Sequence, residues 1–227
     1  MLHRYRDGES AIKGTIEDYA FFIHGLLDLY EATFDPSYLK RAVNLSEDMV
    51  KLFGDQKGGF VFVGKDAEQL LYPQKDIYDG AIPSGNSIAA LDLVRLFHFT
   101  LNTAWDEKAQ GLFQYFAQNI GDHPTGYAQA LIALDFFLAP SQEIVIAVEA
   151  ENQDARDLIR KVFERFLPHK VILLRSQKTE RELVPMAPFI EYQRALDGQT
   201  TIYVCENHMC QRPVHKLSEL DALLEKL

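Results

Sequence analysis

A chain of 227 residues, 47% apolar with 15 Phe and 10 Tyr, has the means for a sizeable core in one large domain or one domain with an appendage. Its formal charge of −10 excludes the basic footprint that nucleic acid or anionic lipid requires, and no run approaches the roughly 18 apolar residues of a membrane span. The opening MLHRYRDGES lacks the apolar segment of a secretion signal and two cysteines make no disulfide framework, so a cytoplasmic, reducing location with free thiols is expected.

Residues 1–16 read as extended or irregular, with a turn at Asp7-Gly8. A helix is expected from Glu17 to Thr33. Its apolar residues, among them Phe21, Phe22, Ile23, Leu26 and Leu29, surround most of the circumference, which predicts burial on most sides. Asp35 as N-cap and Pro36 at the first helical position open a second helix. There Leu39, Ala42, Val43, Met49, Val50 and Phe53 recur at three and four, leaving one wet face. GGFVFV from Gly58 reads as a short strand, followed by a polar loop to Ser84. The helix expected over 85–101 is again apolar all round. The next carries one stripe: Trp105, Ala109, Leu112, Phe113, Phe116 and Ile120. A third buried helix is expected in DHPTGYAQALIALDFFLAP, capped by Asp122 or Thr125 and ended before Pro140.

Alternation of buried and one-faced helices is the pattern of antiparallel αα-hairpins packed in two layers, the inner one covered on both sides. After Pro140 the grammar changes. EIVIAVE (143–149) and KVILLRS (170–176) are strands separated by an amphipathic helix with Leu158, Ile159, Val162, Phe163 and Phe166 expected inward, a parallel βαβ unit. TTIYVCE (200–206) is a third strand, and LSELDALLEKL a closing helix. The expected fold is mainly α: a partial α/α toroid of αα-hairpins over residues 1–140, then a small α/β unit over 141–227 containing the parallel βαβ.

Five segments, RYRDGE, EDYAFFIHGLLDLYEATFD, GGF, YDGAIPSGNS and YVCENHMCQRPV, resemble in this order the C-terminal part of the spermatogenesis-associated, thioredoxin-domain-containing proteins and their bacterial relatives. The resemblance covers nearly all of the chain. It implies a thioredoxin-like domain followed by an (α/α)6 barrel of the six-hairpin glycosidase type, similar to N-acylglucosamine 2-epimerase. The thioredoxin-like domain with its Cys-x-x-Cys, and about the first half of the barrel, have no counterpart in this sequence. Where relatives are expected to carry an arginine shortly before the lysine of QKD, this chain has LLYPQKD.

The stretch KDIYDGAIPSGNS, residues 75–87, places Asp76, Tyr78, Asp79, Ser84 and Asn86 at the mouth of a buried helix. Ser84 suits an N-cap. Helix starts also attract polar or anionic ligands, and carboxylates with an amide suit a sugar-like ligand. Asp18 begins another inner helix beside Tyr19, with His24 further along it. Paired carboxylates about 5–9 Å apart hydrolyse glycosidic bonds, so Asp18 and Asp79 are the candidate catalytic pair. The alternative for Asp18 is a first-turn acid complementing the helix dipole, and for His24 a satisfied core histidine. Tyr19, His24, Asp76, Tyr78, Ser84 and Asn86 are the candidate substrate contacts.

In CENHMCQRPVH the spacing of Cys205, His208, Cys210 and His215 is no common zinc pattern, so no metal is assigned. Cys205 and Cys210 are candidate redox or thiol residues; free thiols are the default, and a disulfide between them, the alternative, needs a tight turn and an oxidising setting. Three parallel strands would bring Glu149, Arg175 and Cys205 to one sheet edge, where the guanidinium would favour a Cys205 thiolate. No cofactor is expected: GDQKGG lacks the P-loop spacing, and no nucleophile elbow is present.

Half a toroid leaves flanks of its inner helices uncovered, so Phe21, Phe22, Phe97 and Phe99 call for a partner, either a second copy of the chain or a separately encoded first half. The first functional expectation is a module that completes a larger protein or assembly without turnover of its own. The second is a carbohydrate-active enzyme, a glycoside hydrolase or sugar epimerase, built at the inner helix starts.

Overall fold

A computed structural model describes residues 1–68, 71–150, 152–206 and 209–225, and among these the chain is mainly α with a small mixed sheet. It divides into two units. The first comprises Met1–Tyr30, Ser37–Phe97 and Asn102–Leu138; the second comprises Glu31–Pro36, His98–Leu101 and Ala139–Leu227.

The first unit opens with a hairpin. Asp7 and Gly8 both take positive φ, 51° and 85°, as a two-residue hairpin turn requires. The stretch expected to be extended or irregular therefore pairs as antiparallel β1 (Leu2–Arg6) and β2 (Glu9–Lys13). Helix α1 (Ile16–Thr33) runs into α2 (Pro36–Phe53), and the Tyr19 and Phe53 rings meet edge-on at 5.1 Å. The start of α1 thus lies against the end of α2, an antiparallel hairpin. Helices α3 (Gly85–Thr100) and α4 (Thr103–Asp122) are joined by Leu101, with φ of 52°, and Asn102, whose side chain accepts from the Ala104 amide as N-cap. Helix α3 is dry around nearly its whole circumference, as its composition predicts, and the six expected stripe residues of α4 are all buried.

Three expectations within this unit are corrected. GGFVFV is not a strand. A Cβ on Gly58 would collide with the Gly111 carbonyl of α4, and Gly58 and Gly59 take φ of 104° and 67°, so the segment is bent to pass close to that helix. Its amides are satisfied one at a time: Phe60 by the Asn86 side chain, Val61 by the Phe53 carbonyl, Phe62 by the Gln74 carbonyl. Lys75 pins the same loop from below, donating to the Gly58 carbonyl at 2.7 Å and to Asp55 at 3.0 Å with its ammonium over the Tyr115 ring. Second, α1 is not covered on most sides: Phe21, Phe22 and Leu29 stand on an exposed face. Third, helix α5 (Ala128–Leu138) buries only Ala130, Ala133 and Phe136 and exposes Ile132 and Leu138. It is one-faced, and it follows a 3-10 turn at Pro124–Gly126. Apolar composition records which faces tolerate burial; which are covered is decided by other segments.

In the second unit β3 (Gln142–Ala147), α6 (Gln153–Phe163) and β4 (Lys170–Arg175) form the expected parallel βαβ, with Gln142 opposite Lys170 and Ala147 opposite Arg175. Asn152 caps α6 by accepting the Ala155 amide. The chain then passes through α7 (Glu180–Met186) and a 3-10 turn (Pro188–Tyr192) to β5 (Thr201–Glu206), β6 (Met209–Cys210) and α8 (Leu217–Leu224). Strand order is β4-β3-β5-β6, with β5 antiparallel to β3. Ile144, Ile146, Ile172, Ile202 and Val204 form one face of the sheet and pack with Leu158 and Val162 of α6 and Leu220 and Leu223 of α8. Phe163 and Phe166, expected inward, are exposed: Phe163 is the last residue of α6, where it meets the Phe34 ring, and Phe166 lies beyond the helix.

Gly58→Ala should lower stability by about 1–3 kcal/mol, because the new Cβ meets backbone at a positive φ. Gly25→Ala, in α1 with nothing near its Cβ position, should raise it by up to about 1 kcal/mol. Urea unfolding of the two variants beside the parent checks both signs.

Candidate functional site

The polar residues singled out in the sequence gather around the starts of α1, α3 and α5. A Cβ on Gly85 would press on the Glu17 amide and the Ile16 side chain at 3.0 Å, so the starts of α1 and α3 abut. Contacts then advance together along both helices, from Glu17 and Gly85 to His24 and Asp92, then to Asp28 and Arg95. The two helices therefore run parallel.

At the start of α1, Asp18 reaches back to Thr15, one half of a capping box. Asp18 Oδ2 accepts the Thr15 amide at 2.8 Å and the Thr15 hydroxyl at 3.1 Å, and His3 Nδ1 lies 2.9 Å from each carboxylate oxygen. Burial pushes this carboxyl up, but the Thr15 and His3 hydrogen bonds outweigh it and hold it below the usual range. Tyr19, next along, turns its hydroxyl to the Met1 amino group at 2.6 Å.

At the start of α3, Ser84 Oγ accepts the Ser87 amide at 3.1 Å, the N-cap expected. Asn86 is fully engaged with backbone: Oδ1 accepts the Phe60 amide, and Nδ2 donates to the Phe60 and Asp76 carbonyls, all at 2.8–2.9 Å. Asp76 closes its own turn by accepting the Tyr78 amide at 2.8 Å. The Tyr78 ring stands exposed, edge-on to Tyr127 at 6.2 Å and over Gly126.

Asp79 joins two helices. Its Oδ1 accepts the Ser84 amide at 2.9 Å, just before α3, and its Oδ2 accepts the Gln129 and Ala130 amides of α5 at 2.8 and 3.1 Å. The cap of α5 thus comes from 50 residues upstream, rather than from Asp122 or Thr125. Neither Asp79 nor Asp18 keeps a carboxylate free of backbone donors.

His24 has a partner that sequence reasoning missed. Its Nδ1 lies 2.8 Å from Oδ1 of Asp92, which is wholly buried, while Asp92 Oδ2 has no hydrogen-bond partner. Burial pushes the Asp92 carboxyl up to about 6, against the opposing pull of His24 and Arg95. The bond to Asp92 raises His24 above 6.5 despite its burial. Asp28 completes the group, 3.8 Å from His24 Nε2 and 2.8 Å from the Arg95 guanidinium. The signal was present: an aspartate and an arginine three apart in an otherwise dry helix must find partners.

The cysteine expectations are corrected. Cys205 and Cys210 are disulfide-bonded, at opposed positions of β5 and β6, so neither is a free thiol. His208 lies outside the described residues. Because β5 is antiparallel, Cys205 sits opposite Glu143 at the start of β3, whereas Arg175 sits opposite Ala147 at its end. The guanidinium does not serve the sulfur. It donates to the Ile190, Glu191 and Gln193 carbonyls and to Glu180, holding the 3-10 turn. Glu149 and Arg175 do share a cavity of about 280 Å³ at the carboxyl ends of β3 and β4.

No family model matches the chain. It is 35% identical over 213 residues to human spermatogenesis-associated protein 20, an alignment covering 93% of this chain and 27% of that protein. The mouse protein of the same name is 34% identical over 218 residues, covering 94% and 27%. An uncharacterised protein of Caenorhabditis elegans is 27% identical over 220 residues, covering 96% and 30%. These similarities support the spermatogenesis-associated family that the sequence motifs resemble. The chain spans about a quarter of the length of the mammalian relatives it matches (27%).

Within the most specific of those motifs, DGAIPSGNS, each polar side chain at Asp79, Ser84 and Asn86 bonds the backbone of this chain. Asp79→Ala should therefore cost about 2 kcal/mol or more, since three charge-assisted bonds to helix amides are lost at once. Asp79→Asn should cost less, and amide exchange at Gln129 and Ala130 should quicken in both variants.

The His24–Asp92 pair sets a pH dependence of stability. Asp92 is raised from 3.8 to about 6 and His24 is raised above 6.5, so the folded pair holds protons that the unfolded chain has released. The stability this supplies is complete below 3.8 and is lost as pH rises through about 6 and then through the His24 value. Urea midpoints across that window should fall with rising pH, and Asp92→Asn should flatten the slope.

Proposed function

We propose that this chain is a module of an α/α toroid of the six-hairpin glycosidase type, similar to the N-acylglucosamine 2-epimerase barrel, which completes a larger protein or assembly and has no turnover of its own. The observation that carries this reading is the use of Asp79: all three of its hydrogen bonds go to backbone amides at helix starts. A carboxylate so engaged is poorly placed to shuttle protons, and Asp18 is taken up by the Thr15 amide and hydroxyl and by the His3 ring. Parallel α1 and α3 with abutting starts, each followed by a partner helix, fit the hairpin order of such a toroid. The exposed α1 face of Phe21, Phe22 and Leu29 suits cover by another protein surface, from a second copy or from the remainder of a longer protein. The length of the relatives favours the latter. No helix among the described residues is long and apolar enough to cross a membrane.

One observation favours the second reading, a sugar epimerase or glycoside hydrolase. A buried carboxylate orienting an imidazole, as Asp92 orients His24, is equipment for proton abstraction beside a carbonyl, the step an epimerase performs. That dyad lies about two turns inside the helix starts, away from the Asp18 and Asp79 pair.

Incubation of the chain with aryl glycosides and N-acylhexosamines, followed by NMR, should show no turnover. Sedimentation at micromolar concentration should show self-association or, with the remaining part of a longer relative supplied, a complex, and Phe22→Ser should weaken either. Turnover lost in His24→Asn, with the fold intact by circular dichroism, would replace the first reading by the second. A monomer that ignores both the added polypeptide and Phe22→Ser would remove the assembly role.

A further inference from the structure

Gln193 follows the 3-10 turn at Pro188–Tyr192 and is buried, with its side-chain amide against both sulfurs of the disulfide. Nε2 donates to Cys205 Sγ at 3.4 Å and to Cys210 Sγ at 3.3 Å, while Oε1 is buried without a hydrogen-bond partner. Arg175 holds this residue by its backbone carbonyl at 3.3 Å. A disulfide offers the amide acceptors only, which leaves Oε1 unmatched. A pair of thiols would offer S–H donors, which the same amide, turned about its end, would accept. A half-satisfied buried amide is costly, so this arrangement is better suited by access to both redox states than by the disulfide alone.

The two sulfur-bearing residues are not equivalent. Cys205 is buried on β5, hydrogen-bonded between β3 and β6. Cys210 is exposed, on the two-residue edge strand β6. An incoming thiolate therefore reaches Cys210 and leaves Cys205 as the departing sulfur, the one beside the buried amide.

We propose that Cys205–Cys210 is a thiol–disulfide exchange site for dithiols, attacked at Cys210, with the Gln193 amide supporting the departing Cys205 thiolate. In the first step a thiolate of the dithiol bonds to Cys210 Sγ. The Cys205–Cys210 bond breaks and its electron pair leaves on Cys205 Sγ, to which Gln193 Nε2–H donates. In the second step the other thiol of the dithiol, as thiolate, attacks its own sulfur in the mixed disulfide. It closes a disulfide within the reductant and releases Cys210 as thiolate. The two protons lost by the dithiol end on Cys205 and Cys210; the dithiol is oxidised by two electrons and the protein disulfide is reduced by two. Exchange is faster when the leaving sulfur has a lower pKa, and a hydrogen bond to its charged form supplies that.

The test uses the full chain with dithiothreitol in the absence of denaturant, read by alkylation and mass. The disulfide should open while the far-UV circular dichroism stays native. In single-cysteine variants, the Cys210 thiol of Cys205→Ser should form a mixed disulfide with oxidised glutathione at least about tenfold faster than the Cys205 thiol of Cys210→Ser, since access governs rate. Gln193→Leu should slow reduction by about tenfold or more, the loss of one hydrogen bond to a charged sulfur. In the Cys210→Ser background it should also raise the Cys205 thiol pKa, which a merely structural role would not move. Gln193→Met, closer in shape, replaces Gln193→Leu if the latter melts early. A disulfide that opens only on unfolding, reaction at Cys205 ahead of Cys210, or a rate and pKa unmoved by the Gln193 changes would each overturn the proposal.

Discussion

The first unit depends on a carboxylate that reaches across the chain. Helix ends carry amides with no partner of their own, and a buried helix start must find acceptors elsewhere. Asp79 supplies them for α5 from a loop 50 residues earlier and, with its other oxygen, holds the amide of Ser84 at the threshold of α3. Once that link is made, the loop from Lys75 to Ser84 is no longer free to wander. Tyr78 lies over Gly126, and the Asp79 amide itself donates to the Gly126 carbonyl at 2.9 Å. Asn86 then ties the Gly58–Phe60 bend to the same place through three further backbone contacts. Side chains that a sequence reader would assign to a ligand are working as the missing rungs of helices and loops.

That use of polar groups bears directly on function. Carboxylates and amides at helix starts serve equally well for binding a hydroxyl-rich ligand and for satisfying backbone, and the two uses compete for the same lone pairs. Here the backbone has them. The group left with unmet capacity lies deeper, at His24 and Asp92, where a wholly buried carboxylate has one bonded oxygen and one unmatched oxygen. The second unit has its own counterpart in Gln193, whose amide meets two sulfurs with its donor end and nothing with its acceptor end. Buried, half-satisfied polar groups are costly, so places that keep them are where chemistry is best sought.

Much was legible from residue pattern alone. The stripe on α4, the dry circumference of α3, the Ser84 cap and the parallel pairing of β3 with β4 all follow from local periodicity and short-range connection, which act within a few turns or one crossover. What failed shares one cause: it required knowing what lies opposite. GGFVFV has strand composition, yet α4 passes too close for a ladder, and single acceptors from Phe53, Gln74 and Asn86 take its amides instead. Phe21 and Phe22 have core composition but stand on an exposed face of α1.

Local propensity thus determined helices α1 to α6 and α8, strands β3, β4 and β5 and the candidate polar residues, because helix periodicity, caps and turn chemistry are short-range forces written in neighbouring side chains. Only the tertiary structure decided that Asp79 caps α5, that Asp92 meets His24, that β5 runs antiparallel and that Cys205 faces Cys210. Each of those pairs joins residues whose nearness comes from how the chain folds back on itself. No local pattern records which acceptor will arrive beside a given donor.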